Sequence, residues 1–216
     1  MRTTTMALVA MFVALMVGSG WALAMIPNIE FVTALAFTAG AVLGPKLGMI
    51  TGASGIFLFS VSNPMGSGLA FPLLLAAQVF SETIVGLLGG LFYRVNPRQL
   101  RRWNFRLLIT VSGFVGTVLY DGLTSISFPL YAQAAFNEVI AVLISGLAFT
   151  SIHQISNTLI FFLLVPELIK LGKRSRRSSG MLEMSPKEET TGKGNSQPTG
   201  SSLRQGQVSG HEGLKS

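Results

Sequence analysis

Charge is almost missing from the first 169 residues of this chain, and the apolar residues there run in long uninterrupted stretches. Of the sixteen Lys and Arg in the 216-residue sequence, nine lie from Lys170 onward, leaving seven, with five acids, for everything before. A soluble domain carries roughly 25% charged residues, so the front part does not fit an ordinary soluble fold. In a bilayer every backbone N–H and C=O must be satisfied within the protein, which helices of about 20 apolar residues achieve on their own. The expected fold class is all-α: an integral membrane six-helix bundle.

Six stretches qualify as spans. The first runs from about Met6 to Ile26 and stops at Pro27-Asn28; the second, from Phe31 to Leu43, is short and ends at Gly44-Pro45-Lys46. The third runs from about Leu47 to Val61, the fourth from Leu69 to Tyr93, the fifth from Leu107 to Ile126 and the sixth from Val139 to Val165. With the N-terminus inside, Arg2, Lys46, the group Arg94 to Arg106 and the tail from Lys170 all fall on the cytoplasmic side, and the outer loops hold no Lys or Arg. Positive residues are retained on that side, so N- and C-termini are both expected to be cytoplasmic. Arg2, the apolar run and Ala22-Leu23-Ala24 also have the layout of a cleavable signal peptide. That run continues through Met25 and Ile26 to span length, and the expectation is a retained span.

From Gly172 the composition turns to Ser, Gly, Lys, Glu, Thr and Gln, too poor in large apolar residues to offset the entropy of ordering. The division expected is a membrane domain over 1–171 and a disordered basic cytosolic tail over 172–216. The net charge of +7 follows from topology and that tail, so no nucleic-acid partner is expected. The chain has no Cys, which excludes a disulfide scaffold, a thiolate metal site and a cysteine nucleophile. A Gly-rich phosphate loop ending in Lys-Ser or Lys-Thr is missing too, and no hydrolase or kinase constellation is legible. The chain is read as no enzyme, with no catalytic residue and no cofactor of its own.

Ionisable groups at membrane depth are costly and tend to mark function. Here they are acidic: Glu30 in the first outer loop, Glu82 half-way along the fourth span, Asp121 towards the outer end of the fifth and Glu138 at the outer start of the sixth, with Glu167 alone inside. Gln78 and Glu82 share one helix face, as do Thr117, Tyr120, Asp121 and Thr124 on the fifth span, and Thr150, His153 and Asn157 on the sixth. Polar stripes in lipid must face the interior or a cavity, and the economical arrangement is one outward-facing pocket, lidded by the loops carrying Asn28 with Glu30 and Asn63 to Gly68. Thr117, Thr124 and Thr150 read as interhelical fasteners. Glu82 and Asp121 read as functional, because an unpaired carboxylate fastens poorly. His153 suits a hydrogen-bonding residue, a proton carrier or a metal ligand; one His in the spans is thin provision for a transition metal, and no metal site is expected. Trp21, Phe71, Tyr120, Phe128 and Tyr131 are placed to stack on a ligand or to anchor at the interface. A pocket with several acids and no Lys or Arg suits a neutral or cationic solute rather than an anion.

The front part, Met6 to about Leu171, resembles the substrate-binding S component of energy-coupling factor (ECF) vitamin transporters. The likeness rests on the six spans, on Pro27-Asn28-Ile29-Glu30-Phe31-Val32-Thr33-Ala34-Leu35, on Ala39-Gly40-Ala41-Val42-Leu43-Gly44-Pro45-Lys46-Leu47-Gly48, on Asn63-Pro64 and on Ala76-Ala77-Gln78. The resemblance implies a multi-pass protein of a prokaryotic cell membrane that captures a vitamin-like micronutrient, of corrinoid, thiamine-like or deazapurine type. It implies as partners a separate scaffold membrane subunit and two cytosolic ATPase subunits that use the ATP. The family's Ala-x-x-x-Ala contact to the scaffold is matched by Ala10 and Ala14, where small side chains let helices approach closely. The substrate-binding residues expected are Asn28, Glu30, Asn63, Gln78, Glu82, Tyr120, Asp121, His153 and Asn157. Two other readings stay open: a stand-alone transporter using Glu82, Asp121 and His153 as a proton relay, and a membrane assembly factor without transport.

Overall fold

In a computed structural model, residues 3–65 and 68–184 are described, and all regular structure among them is helical. Seven α-helices follow in order: α1 (Thr3–Leu23), α2 (Val32–Leu43), α3 (Pro45–Val61), α4 (Pro72–Leu91), α5 (Trp103–Tyr131), α6 (Phe136–Leu163) and α7 (Val165–Met184). Single 3-10 turns precede α4 at Gly68–Ala70 and α5 at Gln99–Arg101. Helices α1, α4, α5 and α6 are long and apolar enough to cross a membrane; α2 and α3 are apolar but shorter, with 12 and 17 residues. Their outward faces carry large apolar side chains such as Leu91, Val111, Ile144 and Ile155, each more than half exposed, as expected where the surrounding solvent is hydrocarbon.

Helix α2 is the axis of the bundle. All twelve of its residues are buried, and it touches each of the other six helices. Its sequence suits that position, because Ala34, Ala36, Ala39, Gly40 and Ala41 leave room for neighbouring backbones. Gly44 ends it with a φ of +98°, a conformation that favours glycine, and Pro45 starts α3 at the first helical position, where its missing N–H costs nothing. Phe37 fills the remaining space at the centre, edge to face with Phe161 at 5.2 Å.

Three helices meet through glycine. A Cβ on Gly40 would run into the Gly86 carbonyl of α4, one on Gly86 into the Gly48 carbonyl of α3, and one on Gly89 into the Phe37 carbonyl of α2. The helical spacing of Gly48, Gly52 and Gly55 is thus used for packing, against α2 and α4 and, for Gly55, against Met16 of α1.

The boundary expected at residue 172 does not end the helical part. α7 continues to Met184, and two of its basic side chains, Lys173 and Arg176, are bound to the helix ends beside it. Lys173 Nζ donates to the carbonyls of Phe92, Tyr93 and Val95 at 3.1, 3.0 and 2.6 Å, and Arg176 Nη1 donates to Val42 O and Tyr93 Oη, both at 2.8 Å. These carbonyls close α4 and α2, where helix ends leave acceptors unmet and favour cations. Composition marked these residues as tail; tertiary capping makes them part of the fold. The rest of the expected tail, 185–216, lies outside the described residues, as does Arg2.

Gly86→Ala is expected to lower the stability of the purified protein by about 1–3 kcal/mol through overpacking against backbone. Gly18→Ala, whose Cβ would meet nothing within 4 Å, is expected to keep or raise it by up to about 1 kcal/mol, the helix-propensity gain of Ala over Gly. Thermal unfolding in detergent measures both.

Candidate functional site

Polar residues from several helices assemble around the start of α2. Thr33, in its first turn, donates its hydroxyl to Glu82 Oε1 of α4 at 2.7 Å, and its backbone N–H donates to Glu30 Oε2 at 3.0 Å. Glu30 thereby sits where the first N–H groups of a helix seek an anionic acceptor. Its other oxygen accepts from Asn157 Nδ2 of α6 at 3.2 Å. One turn earlier on α6, His153 places Nδ1 2.6 Å from Asp121 Oδ1 of α5 and Nε2 2.9 Å from Asn157 Nδ2. The distances fit the tautomer protonated on Nδ1, which donates to Asp121 and accepts from the Asn157 amide. Gln154 Nε2 donates to Asp121 Oδ2 at 3.1 Å. A continuous hydrogen-bonded chain therefore runs from Asp121 through His153 and Asn157 to Glu30, tying α5, α6 and the loop before α2.

Glu82 stands apart from that chain. It is fully buried, and its Oε2 has no hydrogen-bond partner. A buried carboxylate oxygen left in this way is costly, and it needs an explanation that packing does not supply.

These side chains border a cavity of about 530 Å³ at one end of the bundle. Its walls come from the end of α1, the loop 24–31, the start of α2, the end of α3 and the facing parts of α4, α5 and α6. Asn28, Glu30, Asn63, Glu82, Tyr120, Asp121 and His153 line it. Gln78 and Asn157 do not: Gln78 supports Tyr120 Oη at 3.3 Å and accepts from Ser60 at 2.8 Å, while Asn157 supports Glu30 and His153 from behind. Glu138 lies apart from the other three acids, capping the Ala135 N–H at 2.8 Å at the start of α6. Of the aromatics expected to stack on a ligand, only Tyr120 reaches the cavity. Phe71 and Phe128 pair with each other at 5.9 Å, and Trp21, half exposed, bonds Ser62 at 3.3 Å. Thr124 and Thr150 line the cavity, and Thr117 bonds back to Gly113 of its own helix. Within the second expected lid, Asn63 and Met65 border the cavity, and Gly66 and Ser67 lie outside the described residues.

Residues that sequence reasoning did not single out complete the site. Phe59 and Phe149 provide aromatic wall; nothing in a run of apolar residues separates them from lipid-facing ones. The contact of Glu30 with the start of α2 was within reach, since an acid just before a helix accepts from the unmet N–H groups of its first turn; nothing in the sequence pointed to the Thr33 hydroxyl. Ser156 Oγ donates to Asn28 O at 2.6 Å and so fastens the loop to α6. Asn28 takes a φ of +59°, which Asn adopts more readily than most residues. Among the described residues no three His, Asp or Glu are gathered as a metal site.

Comparison of the chain with family models, with curated proteins and with solved structures gives no match.

Ser156→Ala is expected to loosen the loop at Asn28 without unfolding the bundle, while Glu30 keeps its bonds to Asn157 and Thr33. Hydrogen exchange of the 24–31 amides should rise about fivefold, the loss of one hydrogen bond of about 1 kcal/mol, while amides of α2 keep their protection.

Proposed function

We propose that this chain is the solute-capturing component of a membrane importer of the energy-coupling factor type, built as six spans with both ends of the membrane domain on the cytoplasmic side. The observation that carries the reading is the cavity of about 530 Å³ faced by Glu30, Glu82 and Asp121, with an unbonded Glu82 oxygen and no Lys or Arg in its lining. Intramembrane carboxylates around a hollow are expected for a ligand site rather than for a fastener. The orientation is supported by charge, because Lys46, Arg94, Arg98, Arg101, Arg102, Arg106, Lys170 and Lys173 gather on the parts of the chain away from the cavity, and none lines it.

The solute is neutral or cationic. An anion brought against three acids would need positive partners that the lining lacks, whereas Glu82 Oε2 offers an acceptor to an N–H or O–H of the ligand and Asn28 Nδ2, also without a partner, offers a donor. Phe59, Tyr120 and Phe149 suit a flat ring. Ligand sites span roughly 300–1,000 Å³, and a cavity in the lower half of that range suits a thiamine-like or deazapurine-sized heterocycle better than a corrinoid. Ala10 and Ala14 are exposed on α1, which leaves them free to meet a scaffold subunit. ATP would be used by that subunit's ATPase partners.

The chain of hydrogen bonds from Asp121 through His153 to Glu30 favours a second reading, a proton-coupled transporter working alone. Uptake in cells that lack any coupling ATPase separates the two. Import is lost there if the chain is a capture component; import that persists and collapses with an uncoupler assigns the relay.

In equilibrium titrations of the purified protein, Glu82→Gln is expected to weaken binding of a cationic heterocycle by about 10- to 100-fold, the worth of a charge-assisted hydrogen bond. Unchanged affinity in Glu82→Gln, Asp121→Asn and His153→Ala combined would remove the cavity from solute binding.

A further inference from the structure

The opposite end of the bundle holds a second built recess that solute capture does not use. It measures about 820 Å³ and is walled by Arg101, Trp103, Arg106, Phe162, Glu167 and Lys170. Three cations face one carboxylate. Arg106 Nη2 and Lys170 Nζ both lie 2.7 Å from the same oxygen, Glu167 Oε1, and the Lys170 hydrogen bond, then the charges of Lys170 and Arg106, hold that carboxyl below its usual range. Glu167 is ionised and holds both cations on one oxygen, and Arg101 has no partner among the described residues. The recess keeps an excess of two positive charges.

Its other wall is aromatic. Trp103 stands edge to face with Phe162 at 5.1 Å and remains 61% exposed, the placement of a tryptophan at a membrane interface. Directly along α5 and α6, Leu107, Leu108 and Leu163 are exposed and apolar. Cations thus sit at the rim of a greasy surface on which acyl chains would lie.

We propose that this recess binds a phosphate group at the membrane interface, with Arg101 and Lys170 as its ligands; an anionic phospholipid headgroup and a soluble phosphate share that chemistry. The apolar surface leading to the rim favours the lipid. Basic pockets between membrane helices on the cytoplasmic side hold such headgroups, and guanidinium matches phosphate geometry through paired N–H donors.

Native mass spectrometry of the full chain in detergent, with phosphatidylglycerol and phosphatidylcholine supplied equally, tests this. Phosphatidylglycerol should be retained selectively. R101Q/K170Q should weaken its retention roughly 30-fold, the loss of two basic contacts, while R98Q/R174Q, which removes two exposed charges outside the recess, should change it less than about twofold. If the double variant does not purify, R101Q alone, at an exposed residue without a partner, should cost about fivefold, and R101K should retain the lipid. Added inorganic phosphate that fails to compete identifies the lipid as the source, and phosphate that displaces it identifies a soluble compound in the same recess. Equal retention of the two lipids, or equal losses in R101Q/K170Q and R98Q/R174Q, overturns the proposal.

Discussion

Everything in this bundle is referred to one short helix with no free face. Because all of α2 is buried, its neighbours can be no farther away than its small side chains permit, and glycines of α3 and α4 bring backbone against backbone. Such contacts replace the hydrophobic drive that a bilayer does not provide between helices. They also set the two ends in register. Thr33 at one end of α2 holds Glu82 and Glu30, and the Val42 carbonyl at the other end receives Arg176. A helix only twelve residues long therefore meets polar groups at both of its ends.

The polar groups divide by how fully they are satisfied. The carboxylates of Asp121 and Glu30 and the His153 ring are bonded on both sides within their chain, through the Asn157 and Gln154 amide nitrogens, while Asn157 Oδ1 and Gln154 Oε1 are left without partners. Of the three carboxylates at the cavity, Glu82 is the incomplete one, since Thr33 meets one of its oxygens and nothing meets the other. A bundle selected for rigidity alone would be better served by an apolar residue there. The cavity beside it supplies the missing reason, as a ligand donor would complete the carboxylate. The loop 24–31 is tied to α6 through Ser156 at Asn28 and through Asn157 at Glu30, polar contacts that can be exchanged more readily than a packed side chain is withdrawn.

Much of this was legible in the sequence, for identifiable reasons. Apolar runs located α1 to α6 to within about five residues, since Gly44-Pro45 and Asn63-Pro64 punctuate them as local sterics require, but they did not show α7. Helical periodicity put Glu82, Asp121 and His153 on faces that meet. Spacing could not distinguish a side chain that touches the hollow from one behind it, so Gln78 and Asn157 were grouped with the lining although both act through Tyr120, Glu30 and His153. Glu138 was grouped with the other acids by depth, and its carboxylate instead serves its own helix start. Lys173 and Arg176 read as tail because composition averages over neighbours, whereas their role depends on carbonyls about eighty and more residues away in sequence.

Direct identification of the small molecule retained by protein extracted gently from its own membrane bears most closely on capture of a solute by the acid-lined cavity. A neutral or cationic heterocycle, present near one per chain and lost when Glu82 is replaced by Gln, is the expected result. A bound anion contacting Glu82, or a chain that retains nothing and binds no small solute in titration, would contradict it.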